Sequence, residues 1–182
     1  MVIYDVQPLR SQREIEEMKQ SLRRWCGERD LFMFVFGINT GLRISDIVKL
    51  KVSDVRDKKT FRVVEQKSKK VRNVNIRTIH PEIMAYTYGM EPDSWLFPSR
   101  KGNGHITTTQ AYRALVKAAD MIDRKDVGTH TMRKTFGYHH YKRNKDVAVL
   151  QEIFNHSAPS ITKRYIGIRQ DEIDESLEGF KL

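Results

Sequence analysis

The stretch Gly128-Thr129-His130-Thr131-Met132-Arg133-Lys134-Thr135-Phe136 decides the reading of this chain. Residues three apart on a helix share a face. His130 and Arg133 therefore present to one anion an imidazole that can move a proton and a guanidinium fork that keeps its charge. Such pairs also occur on ordinary solvated helices, and only the rest of the chain chooses between the two readings.

Of the 182 residues, 39% are hydrophobic and 31% charged, which suits one globular domain with a core and excludes both a disordered chain and two large domains. The longest apolar run, Leu31 to Ile38, is too short for a bilayer, and no secretory leader pattern opens the sequence. The expectation is a cytoplasmic protein that does not meet a membrane. Lys and Arg number 33 against 23 Asp and Glu, a net charge of +10 that favours polyanions, nucleic acid first. The excess is concentrated in residues 56–80, where Asp57 and Glu65 are the only acids, while residues 169–182 are mainly acidic. The single cysteine, Cys26, excludes an intrachain disulfide or a Cys-rich zinc site, and beside Trp25 it reads as a small buried hydrophobe.

Residues 1–10 read as an extended lead-in. Ser11 and Glu14 form a capping box for a helix over 12–26 with Ile15, Met18, Leu22 and Trp25 on one face, ended by Gly27. A central helix follows from about Asp30 to Gly41, and Ser45 is expected to cap a short one over Asp46–Leu50. Between them Arg43 stands between Leu42 and Ile44, so its stem is shielded while its head needs acceptors: Asp46 or another acid, or an external anion. The period then changes to short β-branched runs, Thr60–Glu65 and Val71–Ile76, a hairpin around Gln66-Lys67-Ser68-Lys69-Lys70.

Pro81 suits the first turn of a helix reaching Tyr88, and Trp95 to Pro98 reads as a core plug. The Arg100–Gly104 loop lacks phosphate-cradle spacing, and His105 reads as a turn residue. Thr107 or Thr108 caps a helix to about 122 with Tyr112, Leu115, Val116 and Ala119 expected inward. Asp146 caps Val147–Phe154, whose Val147, Leu150, Ile153 and Phe154 face the core; Asn155-His156-Ser157 breaks it, and Pro159 opens a segment leading to Tyr165. The expected fold class is α+β, mainly helical with a small antiparallel sheet on one side.

A tyrosine hydroxyl, with a pKa near 10, is a poor nucleophile without a base beside it and cations ahead of it. His130 and His156 offer the base, and Arg43 and Arg133 offer charge-assisted bonds to the nonbridging oxygens of a phosphodiester. The His and acid spacings match no standard metal motif and no acidic trio suggests a two-metal nuclease, so the groups fit a cofactor-free phosphoryl transfer through Tyr165.

With those residues in place, the chain resembles the catalytic domain of the tyrosine recombinases, or phage integrases, over nearly its whole length. Thr40 to Asp46 is similar to that family's Thr-Gly-Leu-Arg-Ile-Ser-acid motif, Lys67-Ser68-Lys69-Lys70 to its Lys-Thr-Gly-Lys turn, and His130 to Phe136 to its His-x-x-Arg motif, with Lys134 as a departure. Phe154 to Ala158 resembles Leu-Gly-His-Ser-Ser, with Asn155 for glycine, and Tyr165 follows His156 by nine residues as the family nucleophile does. The resemblance implies Arg43 and Arg133 as phosphate clamps, His130 as general base, His156 as a further catalytic residue and Tyr165 as nucleophile. Lys67 becomes the proton donor, with Lys69 as a rival. Lys58, Lys59, Lys69, Lys70, Arg72 and Lys134 are the expected DNA-backbone contacts.

The implied reaction is cleavage and rejoining of duplex DNA through a 3′-phosphotyrosyl link, by four protomers on recombining DNA and a monomer in free solution. A tyrosine-dependent topoisomerase and a non-catalytic DNA-binding regulator of the same fold are the alternatives. The domain would span residues 11–167, with residues 168–182 as a tail packing on its own or a neighbouring protomer. Full recombinases add an amino-terminal clamp domain that residues 1–10 cannot supply, so the sequence reads either as an excised catalytic domain or as a natural minimal member.

Overall fold

The structure, a computed structural model, describes residues 5–181; the first four residues of the expected lead-in and the last residue of the tail lie outside it. Helix α1 (Gln12–Trp25) begins with the expected capping box: Ser11 Oγ accepts from Glu14 N at 3.2 Å, and the Glu14 carboxylate accepts from Ser11 N at 2.8 Å. Its Ile15, Met18 and Leu22 are buried, whereas Trp25, at the helix end, is 39% exposed.

Helix α2 (Glu28–Thr40) starts two residues before the expected Asp30, directly after Gly27. Leu31, Phe32, Met33, Phe34 and Phe36 are all buried, so α2 is packed on nearly every face. It ends in a left-handed Gly41 with φ of 63°. A Cβ at Gly41 would stand 2.4 Å from the Phe136 ring, so both the conformation and the close approach require glycine.

The short helix expected over Asp46–Leu50 instead runs over Ile44–Ile47 (α3), and Ser45 does not cap it. Extended Arg43 occupies the cap position, and its carbonyl accepts from Asp46 N and Ile47 N at 2.9 and 3.0 Å. One more turn, α4 (Val52–Val55), follows; it is entered through Lys51 N bonded to Asp54 Oδ2 at 2.7 Å. The hairpin forms as β1 (Thr60–Val64) and β2 (Val71–Asn75), antiparallel in the register Thr60↔Asn75 to Val64↔Val71, with Phe61 and Val74 inward.

Helix α5 (His80–Thr87) carries Pro81 in its first turn, and Leu96 and Phe97 of the expected plug are fully buried. His105 pairs with Pro98 in an isolated bridge, its ring edge-on to Trp95. Thr107 caps α6 (Thr108–Asp120), which buries Ala111, Leu115, Ala118 and Ala119. Tyr112 is not on that buried side: it lies at the margin of the stripe and is 47% exposed.

Helices α7 (Thr131–Asn144), α8 (Val147–Phe154), α9 (Pro159–Ile166) and α10 (Ile168–Leu177) complete the chain, with Asp146 Oδ1 capping α8 through Val149 N at 3.1 Å. Among the described residues no helix is long and apolar enough to cross a membrane.

Among the described residues two apolar cores result. The larger gathers α1 to α6, the hairpin and Met132; the smaller gathers Tyr138, Tyr141, Leu150, Phe154, Ile166 and Ile168, with Phe136 and Tyr165 against it. Helix α7 belongs to both. Its Gly137 lets α8 and α9 close in, since a Cβ there would meet Ile166 at 2.6 Å and Phe154 at 2.7 Å.

Candidate active site

Arg133, from the first turn of α7, is buried to 2% exposure at the junction of the two cores. Its Nη1 donates to Gly41 O at 2.6 Å and its Nη2 to Phe154 O at 3.1 Å, with the guanidinium 4.3 Å from the centre of the Phe154 ring. Burial above all, and then repulsion by Arg43, pull its pKa down to about 10, which still leaves it charged at neutral pH.

Arg43 finds its acid at the far end of β1 rather than at Asp46. Its Nη1 donates to Glu65 Oε2 at 2.7 Å, and Glu65 Oε1 lies 4.0 Å from Arg133 Nη1, so both guanidinium groups converge on one buried carboxylate. Asp46 accepts from Gln66 N at 2.9 Å instead.

His130 stands just ahead of α7 with helical dihedrals, which preserves the expected three-residue relation to Arg133. Its Nδ1 is 3.1 Å from Tyr165 Oη. Burial, then the charges of Lys134, Arg133, Arg43 and Lys67, hold its pKa below the ordinary histidine value. Neutral imidazole is thus the resting form beside the phenol. Tyr165, in the last turn of α9, is half-buried against Phe154 and His156. Burial raises its pKa, with Arg133 and Arg43 opposing, so the hydroxyl keeps its proton at neutral pH.

His156 follows Asn155, which takes the left-handed conformation (φ 53°, ψ 47°) that the family's glycine would adopt and that asparagine tolerates. Its Nδ1 pairs with Thr162 Oγ1 at 3.0 Å, and burial with the two arginines lowers its pKa.

In the hairpin, Lys67 sits exposed in the turn. Lys69 is left-handed (φ 58°), the geometry suited to the glycine of Lys-Thr-Gly-Lys.

The expected DNA contacts divide. Lys58, Lys59, Lys69 and Lys70 are exposed, although Lys70 Nζ also reaches Asn155 Oδ1 at 2.5 Å. Arg72 turns inward and donates from Nη2 to Thr40 O at 2.8 Å, bracing the Arg43 loop from beneath instead of facing solvent. The Lys134 side chain is only 13% exposed. Its Nζ donates to Val6 O at 2.5 Å and lies 5.5 Å from the centre of the Tyr165 ring.

Residues 5–10 of the lead-in are thereby strapped across α7: Leu9 N donates to Thr135 Oγ1 and the His139 imidazole pairs with Leu9 O, both at 2.9 Å. The sequence reading missed Glu65, Ser68 and Thr162; an isolated acid at a strand end among nine bases was the one visible sign of the first. Cys26 is half-buried, with its pKa raised by burial and by Asp30, as suits an unreactive thiol. Among the described residues no group of His, Cys, Asp and Glu gathers as a metal site.

This arrangement can hold one phosphate oxygen set against two guanidinium groups while a hydroxyl with a base at hydrogen-bond distance stands beside it. Comparison with known proteins agrees. The chain is 50% identical over 167 residues to the probable integrase/recombinase YoeC of Bacillus subtilis (strain 168), covering 91% of this chain and 92% of that protein. It is 28% identical over 171 residues to tyrosine recombinase XerA of Pyrococcus horikoshii, covering 92% of this chain and 60% of that one.

Among solved structures, the catalytic domain of bacteriophage HP1 integrase superposes with a TM-score of 0.62 at 23% identity, over 97% of this chain and 96% of that one. The XerH recombinase bound to a palindromic difH substrate gives 0.72 at 19% identity, over 93% of this chain and 51% of that one. At such identities these likenesses establish the fold alone. The family pattern described as the phage integrase family matches residues 11–172. Together with the half-identical relative, that match makes the chain a member of the phage integrase family.

Proposed function

We propose that the protein is a site-specific recombinase that cuts and rejoins duplex DNA through a 3′-phosphotyrosyl intermediate. The observation that carries this reading is the 3.1 Å approach of Tyr165 Oη to His130 Nδ1 beside two arginines that share one carboxylate.

In the forward step the Tyr165 oxygen attacks the scissile phosphorus and its proton passes to His130. The bond from phosphorus to the 5′ oxygen breaks, and that oxygen takes a proton from Lys67. Arg43 and Arg133 neutralise the charge that grows on the nonbridging oxygens. A 5′ hydroxyl from another strand reverses the sequence, and the phosphate-ester bond energy is conserved, so no nucleotide cofactor is required.

Three features support the roles. The depressed pKa of His130 keeps it able to accept a proton, the raised pKa of Tyr165 makes a base necessary, and Lys67 is near enough for its charge to be felt at His130. The +10 net charge and the DNA-bound XerH and lambda integrase structures of the same fold support duplex DNA as the partner.

Recombination is proposed to use four protomers. Helix α10 is held on its own chain by buried Ile168 and by ion pairs, with Lys163 to Glu172 and Lys142 to Glu175 both at 2.8 Å. Leu177 and Phe180 are exposed and suited to packing on a neighbour. The test is incubation with a nicked suicide substrate carrying the cognate site. A denaturation-resistant protein–DNA adduct is expected from the wild type and none from Tyr165→Phe; no adduct from the wild type on any cognate site would refute the enzyme reading.

A further inference from the structure

Glu65 is the least expected charge in the site. It is 2% exposed, one residue beyond β1, and surrounded by cations. A carboxylate removed from water is costly unless bonded, and this one is bonded in a specific pattern. Oε2 accepts from Arg43 Nη1 at 2.7 Å and from Ser68 Oγ at 2.8 Å. The backbone of the same residue closes the turn, with Lys69 N donating to Glu65 O at 2.8 Å and Glu65 N to Lys70 O at 3.0 Å. Burial would raise its pKa, but the bonds from Ser68 and Arg43 and the charges of Arg43 and Arg133 outweigh that and keep it ionised.

Lys67 lies inside the turn that these bonds close. A solvated lysine on a free hairpin tip would sample many positions, and proton transfer to a leaving oxygen needs one. We propose that Glu65 is a positioning residue, and that through Ser68 its carboxylate ties the Lys67 turn to Arg43, so that the proton donor and the phosphate clamp move as one unit.

Glu65 engages Arg43 through Nη1, and a guanidinium has further donors to present to a phosphate. Among the described residues Oε1 has no hydrogen-bond partner and faces Arg133 at 4.0 Å, so one carboxylate balances the charge of both clamps. The inference rests on the proposed role of Lys67 and extends it.

The experiment compares single-turnover cleavage of an ordinary suicide substrate with that of one whose 5′ bridging oxygen is replaced by sulfur. A thiolate leaves without a proton, so the sulfur substrate bypasses the donor. Ser68→Ala removes the link to Glu65, together with a long 3.4 Å bond from Lys70 N, while leaving Lys67 and the Arg43 pair in place. It is expected to slow the ordinary substrate about tenfold, the effect of one hydrogen bond to a charged group, and to match wild type on the sulfur substrate.

Glu65→Gln should be slower still on the ordinary substrate and only partly restored by sulfur, because Arg43 also loses its fixed partner. Wild-type speed of Ser68→Ala on the ordinary substrate, or equal slowing on both, overturns the inference. Lys67→Ala in the same assay separates the two levels. If sulfur restores it, the donor assignment stands and Ser68→Ala alone decides; if not, the donor assignment fails and the inference falls with it. A thermal melt of each variant confirms that the fold is retained.

Discussion

The Nδ1 atom of His130 lies 3.1 Å from the hydroxyl oxygen of Tyr165, although 35 residues separate them in the chain. The pair sets the pH dependence of cleavage. His130 is held below the ordinary histidine value of 6.5, first by burial and then by four neighbouring cations. Its neutral, proton-accepting form therefore persists as pH falls through 6.5, and the rate of adduct formation should decline only at lower pH. Folding stability follows the same sign: below 6.5 the unfolded chain takes up protons that folded His130 and His156 resist, so stability falls as pH drops toward their lowered values. Single-turnover cleavage and thermal melts across pH 5 to 8 provide the check, and an acid limb at or above 6.5 would contradict the assignment.

Arg133→Lys tests the fork. One ammonium cannot replace both bonds to Gly41 O and Phe154 O and also meet a phosphate. Cleavage should fall by about 100-fold or more, with a stability loss of about 1–3 kcal/mol from an unsatisfied buried carbonyl. Lysine at wild-type activity would show that the guanidinium geometry is not needed.

Lys134 joins the strap to the nucleophile, since one ammonium meets both Val6 O and the Tyr165 ring. Lys134→Met keeps the stem and removes the charge. It should slow adduct formation about tenfold, as loss of a partly desolvated cation over an aromatic face and its hydrogen bond would do, with DNA affinity little changed. Lys134→Arg should recover much of the rate. A large drop in affinity instead would return Lys134 to the role of a backbone contact.

Gly137→Ala places a methyl group at 2.6 to 2.7 Å from Ile166 and Phe154. Over-packing of this kind costs about 1–3 kcal/mol. Because Ile166 adjoins Tyr165 on α9, cleavage should fall together with the melting temperature; an unchanged melt would show that α8 and α9 yield freely.

What could be read in the sequence was local or evenly spaced. Ser11 with Glu14, Gly41, Asp146 and Asn155 act within a turn of their own position, and the structure has each doing so. The convergence of Arg43, His130, Arg133, His156 and Tyr165 was available only through the spacing of known motifs. Glu65 was missed, and the bond from Arg72 to Thr40 O not foreseen, because their partners lie 22 and 32 residues away, where pairing is decided by packing. The start of α3 moved because extended Arg43, held toward Glu65, takes the cap position ahead of Ser45. Tyr112 followed a helical period too broad for a stripe made mainly of alanines.

Arg133 is the rivet between two packed bodies that share α7, one carbonyl partner ending α2 and the other ending α8. A seam of this kind loosens before either body melts. Gentle warming should therefore silence cutting while the far-ultraviolet helical signal is still intact.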